Sequence, residues 1–143
     1  MKKIGIGGDH AGFEYKSRMV GQLEAAGYEV TDFGPGSDVS VDYPDYVHPM
    51  ATAVEKGEIE AGIAICGSGN GVCMTVNKHQ NVRGALVWNN DLSALARQHN
   101  NANVICIPAR FVSYDSAEEM VNIFLTTDFE GGRHQRRVDK ISC

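Results

Sequence analysis

The chain has 143 residues, 43% hydrophobic and 22% charged, with a formal net charge of −5. That length fits one domain, expected over 1–143, able to bury about 70% of its unfolded surface without disulfide staples. The acidic balance argues against a nucleic-acid partner, and no apolar run approaches the ~20 residues that span a membrane. The four cysteines, Cys66, Cys73, Cys106 and Cys143, show neither CxxC nor Cys/His metal spacing. With no segment resembling a signal peptide, the expected setting is a reducing cytoplasm, with no metal bound.

Lys3 to Gly7 reads as a strand running into Gly7-Gly8-Asp9-His10. Phe13, Lys16, Val20 and Leu23 then recur at helical spacing up to Gly27. Tyr28 to Phe33 reads as a second strand, followed by an irregular loop from Gly34 to about Pro44. The next helix is expected from Tyr46 or Pro49 to Lys56, closed by Gly57, and leads into a strand ending at Cys66. Glycines at 67, 69 and 71 form a loop before a helix expected over Val72 to Lys78. Arg83 to Trp88 is the fourth strand, Asn90 or Asp91 caps a helix to about Asn100, and Val104 to Pro108 is the fifth strand. Ser113 or Asp115 caps a helix over Ser116 to Leu125, and Gly131-Gly132 precedes a basic helix from Arg133 to about Ile141. Alternating strands and helices with short links predict an α/β fold with a parallel sheet covered on both faces.

Ligands of such folds bind beyond the carboxyl ends of the strands. That rule selects Asp9 and His10, Tyr43, the stretch Cys66-Gly67-Ser68-Gly69-Asn70-Gly71, and Arg110. Each has a plain reading beside a functional one. Cys66 is either a small buried apolar residue or a thiolate favoured by the loop N–H groups, since helix N-termini and cations pull a thiol below its usual ~8.5. Asp9 and His10 either cap the first helix or face a ligand, and His99 either ends a solvated helix or serves as an acid–base group. His99 and Asn100 lie at the far end of a helix, so any site they serve is more easily a neighbouring subunit's. Arg133 and Arg137, four apart, share one side of a helix and can clamp one phosphate, here around Cys66 with Asp9, His10 and Arg110. The glycine spacing is neither that of a Walker A loop nor GxGxxG, which argues against a nucleotide fold. A base, a nest for an oxyanion and a phosphate clamp together suit proton transfer beside the carbonyl of a sugar phosphate, with no cofactor.

The segments GGDHAGFEYK, DYPDY, AICGSGNG, VNK, RQHNNANV and FEGGRHQRRV, in that order, resemble type B ribose-5-phosphate isomerases. That family is shared with allose-6-phosphate and galactose-6-phosphate isomerases. The resemblance implies a three-layer α/β/α sandwich, Rossmann-like, around a five-stranded parallel sheet in order 2-1-3-5-4. It implies a homodimer or dimer of dimers with sites shared between subunits, and a place in the pentose phosphate pathway. By the same resemblance Cys66 is the proton-abstracting base and His99 opens the furanose ring. Asp9, His10, Tyr43, Gly67 to Gly71, Asn100, Arg110, Arg133 and Arg137 bind substrate. Ser68 stands where many members carry threonine and keeps the hydroxyl. A six-carbon sugar phosphate is the alternative substrate, and a non-catalytic sugar-phosphate-binding module the remote alternative.

Overall fold

The computed structural model describes residues 1–143. Its elements are β1 (Lys3–Gly8), α1 (Phe13–Ala25), β2 (Glu29–Asp32), α2 (Pro44–Glu55), β3 (Ala61–Cys66), α3 (Asn70–Val76), β4 (Gly84–Leu86), α4 (Asn90–Asn100), β5 (Val104–Pro108), α5 (Tyr114–Thr126) and α6 (Arg133–Asp139). A 3-10 turn, His10–Gly12, joins β1 to α1. The strands are all parallel and stand in the order β2-β1-β3-β5-β4, as the sequence resemblance implied.

Period-two alternation in the inner strands sorts side chains into two apolar layers. Ile63, Ile65, Ile105 and Ile107 face one side, against Met19 and Leu23 of α1, Ala96 of α4 and Met120 and Phe124 of α5. Ala64, Cys66, Val104 and Cys106 face the other, against Val47 and Met50 of α2 and Val72 and Val76 of α3. Each large aliphatic side chain buried this way contributes about 1.5–3 kcal/mol. On β1, Gly5 has no room for a side chain because Ile59, Phe33 and Met50 press against it, so α2 packs close to the sheet.

Several boundaries differ from the sequence reading. α2 begins at Pro44, since proline at the first helical position needs no N–H and has its φ already set. Pro49 then lies inside the helix, which forgoes one rung there. α3 begins at Asn70, directly after the left-handed Gly69 with φ 74°. β4 has only three residues, at the sheet edge, although Val87 N still donates to Cys106 O at 3.0 Å. The cap of α4 is Asn89, whose side chain accepts from Leu92 N, and Ser113 caps α5 by accepting from Ser116 N. Lys16, which the periodicity placed on the apolar stripe of α1, is indeed buried. Its Nζ bonds both carboxylate oxygens of Asp32 at 2.8 and 3.0 Å, and Asp32 in turn accepts from Gly34 N.

Cys106 is fully buried, and burial first, then neighbouring Cys73 and Cys66, push its thiol well above the ordinary value of 9.0. An acid with a raised folded-state pKa adds stability that is complete below its unfolded pKa and lost as pH rises through the folded one. Thermal unfolding midpoints are therefore expected to fall as pH rises above about 9, and to fall less steeply in Cys106→Ala, whose overall midpoint is lower from the small cavity. An equal slope in the two proteins would contradict this.

Candidate active site

The carboxyl ends of β1, β3 and β5 open on a cavity of about 430 Å³. Cys66, the last residue of β3 and 5% exposed, forms part of its lining. Its Sγ accepts a hydrogen bond from Gly69 N at 3.2 Å, a bond that strengthens when the sulfur is a thiolate. Gly69 reaches this position in a left-handed conformation with its Cα against Leu86 and the Ile107–Pro108 backbone, where no side chain fits. The loop N–H groups divide by role. Gly69 N holds the sulfur and Asn70 N donates to Ser68 Oγ, whereas Gly67, Ser68 and Gly71 have no internal acceptor for theirs. The three residues with open N–H groups line the cavity, and Gly69 and Asn70 do not.

β1 brings Asp9 and His10 to the same place. Gly8 pairs with Ile65, Asp9 N donates to Ile65 O at 3.2 Å, and a side chain at Gly8 or Gly12 would strike that carbonyl. Asp9 does cap the following turn, its Oδ1 accepting from Ala11 N and Gly12 N, while Oδ2 has no partner within the chain. Both readings of this residue therefore hold at once. His10 Nδ1 accepts from Val41 N at 3.2 Å, which leaves the proton on Nε2 and makes that nitrogen the donor. Tyr43 presses its ring against Gly71, where any side chain would overlap it. Arg110 N donates to Gly67 O at 3.0 Å, and its side chain crosses directly over Gly67. A guanidinium and several open N–H groups thus share one cavity with Cys66, an arrangement that suits an anionic ligand.

The remaining candidates gather elsewhere. The His99 ring, at the C-terminal end of α4, stacks on His134 of α6 with centroids 4.2 Å apart and planes 13° apart. Glu130 Oε1 is 3.8 Å from Nε2 of each ring. Desolvation first, then His99 and Arg133, lower the pKa of His134 below the usual imidazole value of 6.5. Arg137 Nη1 donates to Arg133 O, and Asn100 borders a separate hollow with Asn77 and Arg83. None of His99, Asn100, Arg133 and Arg137 lines the Cys66 cavity of its own chain. For His99 and Asn100 this follows the expectation from their place on the helix. For Arg133 and Arg137 it is a correction: α6 packs on α4, so the clamp accompanies His99 and not Cys66. Asn70 instead faces an adjoining hollow with Leu86, Trp88 and Phe111. Phe111, 76% exposed at the cavity mouth, and Glu130 were not selected from the sequence, although Glu130 stands four residues before His134 within one of its motifs.

The sequence profile described as Ribose/Galactose Isomerase matches residues 4–141. A probable ribose-5-phosphate isomerase B of Mycoplasma genitalium is 46% identical over 140 residues, covering 96% of this chain and 92% of that protein. The ribose-5-phosphate isomerase B of Escherichia coli is 43% identical over 144 residues, covering 100% of this chain and 96% of that one. Among solved structures, a Thermotoga maritima ribose 5-phosphate isomerase superposes with a TM-score of 0.96 at 42% identity, covering 99% of this chain and 97% of that one. The Mycoplasma genitalium enzyme with bound ribulose 5-phosphate gives 0.93 at 45% identity, covering 97% and 93%. Profile, sequence and backbone agree over almost the whole length, and the cysteine, glycine loop and basic helix lie within it: the chain belongs to the ribose/galactose isomerase family.

Proposed function

We propose that the chain is an aldose–ketose isomerase interconverting D-ribose 5-phosphate and D-ribulose 5-phosphate, a carbohydrate-metabolism step within the pentose phosphate pathway. The observation that carries this reading is Cys66 Sγ, held by Gly69 N and bordered by the open N–H groups of Gly67, Ser68 and Gly71. The Cys66 thiolate takes the proton from C2 of the open-chain aldose, and the C2–H electron pair forms the C1–C2 double bond as the carbonyl electrons move to oxygen. The enediolate charge rests against the loop N–H groups, worth about 2.7–4 kcal/mol for one well-placed donor. The O2 hydroxyl proton passes to O1, and return of the Cys66 proton to C1 then gives the ketose with its carbonyl at C2. The steps need neither metal nor organic cofactor, and the phosphate is taken by His10, Arg110 and the Arg133–Arg137 pair.

Since one chain separates that pair and His99 from Cys66, the complete site is formed between two copies, in a homodimer or a dimer of dimers. Exposed Phe111 and Trp88 beside the cavity support a covered face there. A cytoplasmic location accords with a chain in which no helix is long and apolar enough to cross a membrane. Purified protein with a chelator present is expected to convert ribose 5-phosphate. A tenfold or greater kcat/KM preference for a hexose phosphate would overturn the assignment of substrate.

A further inference from the structure

We propose that His99, Glu130 and His134 form a binding site for a divalent transition metal, Zn²⁺ above others, and that its occupation removes His99 from ring opening. The three ligand atoms, an Nε2 from each histidine and a carboxylate oxygen, lie within 4.8 Å of one another. Two imidazoles and one carboxylate are the donor set of open zinc sites, with water in the fourth position. Zinc–ligand bonds of about 2.0–2.1 Å at tetrahedral angles separate neighbouring ligand atoms by about 3.3 Å. Each histidine nitrogen is 3.8 Å from Glu130 Oε1, so those two edges close by about half an ångström, while the edge between the histidines, within 4.8 Å, closes by up to about 1.5 Å.

The stacked rings direct their lone pairs side by side, and one ring must turn before both meet a single ion. His99 and Glu130, 40% and 52% exposed, have the freedom to do so, while His134, at 15%, supplies the fixed ligand. Nitrogen donors select zinc, copper or nickel over magnesium or calcium. Arg133 beside His134 opposes a cation and Glu130 offsets it, which predicts a reversible site and not a resident metal. The chain's other histidine–carboxylate cluster, His48–His79–Glu55, lacks this convergence, because Glu55 binds the nitrogen of His79 that faces away from His48.

The consequence for catalysis rests on the proposed isomerase reading and on the ring-opening role that the family resemblance implies for His99, but the site itself does not. Isothermal titration of substrate-free protein with Zn²⁺ is expected to give one equivalent per chain, and Co²⁺ a visible spectrum without thiolate-to-metal charge transfer. His134→Ala is expected to lose both signals, and also the rise in unfolding midpoint that Zn²⁺ gives the wild type. Zn²⁺ is expected to slow turnover of cyclic ribose 5-phosphate at least tenfold and to spare C2 proton exchange in an open-chain aldose phosphate. Unchanged stoichiometry in His134→Ala, or a thiolate band pointing to Cys66 or Cys143, would overturn the site. A protein without turnover at any metal concentration would instead refute the isomerase reading, with the titration still deciding the metal site.

Discussion

Replacing Cys66 by alanine is expected to lower kcat on ribose 5-phosphate by about a thousandfold, inside the span of a positioned general base. Exchange of the C2 proton with solvent should disappear, while sugar phosphate still binds within about tenfold of the wild-type affinity. The reasons lie in the division of labour around the sulfur. Cys66 borders the cavity, but its sulfur's only hydrogen bond is the one accepted from Gly69 N, and the proposed phosphate contacts come from other residues. Alanine also frees the Gly69 N–H and so loosens the loop, and Cys66→Ser separates that effect from loss of the base. A serine Oγ can accept from Gly69 N, yet it does not ionise near neutral pH, so its exchange should be as slow as that of alanine. Wild-type exchange rates in either variant would exclude Cys66 as the base.

His99→Asn is expected to lower kcat/KM for the cyclic sugar by about a hundredfold, the low end for a lost acid–base group. Partial activity should remain on an open-chain substrate. Asparagine keeps a polar side chain at the end of α4 but can neither relay the anomeric hydroxyl proton to the ring oxygen nor stack on His134 as an imidazole does. The two-substrate comparison matters because a merely structural role for His99 would depress both reactions equally. Equal losses on cyclic and open-chain sugars would therefore contradict ring opening by this residue.

The layered fold was legible in the sequence because inner strands such as AGIAIC and VICIP are apolar on consecutive residues, which only a doubly covered parallel sheet accommodates. The strand order itself came from the family resemblance and not from the pattern. Helix starts were read less well where turn chemistry competes with periodicity. Pro44 and Pro49 both look like breakers, but one opens α2 and the other is tolerated within it. Around Cys66 the strand-end rule gathered Asp9, His10, Tyr43 and Arg110 correctly into one cavity. It could not show which loop N–H groups are already engaged, because that depends on the left-handed turn at Gly69 and on Ser68 Oγ. Nor could spacing alone reveal that α6 follows α4 away from Cys66, since helix packing is a tertiary choice. Glu130 passed unnoticed for a related reason: its spacing to His134 is local, but His99 joins the pair only once α6 packs on α4.

Cys66 and His99 are proposed to act in one site supplied by two copies of the chain. Co-expression of Cys66→Ala and His99→Asn chains tests it directly, with cyclic ribose 5-phosphate as substrate. Random pairing makes half the dimers mixed, and each of those holds one intact site of two, so about a quarter of wild-type activity is expected. A mixture no more active than the sum of its two parents would contradict the shared site.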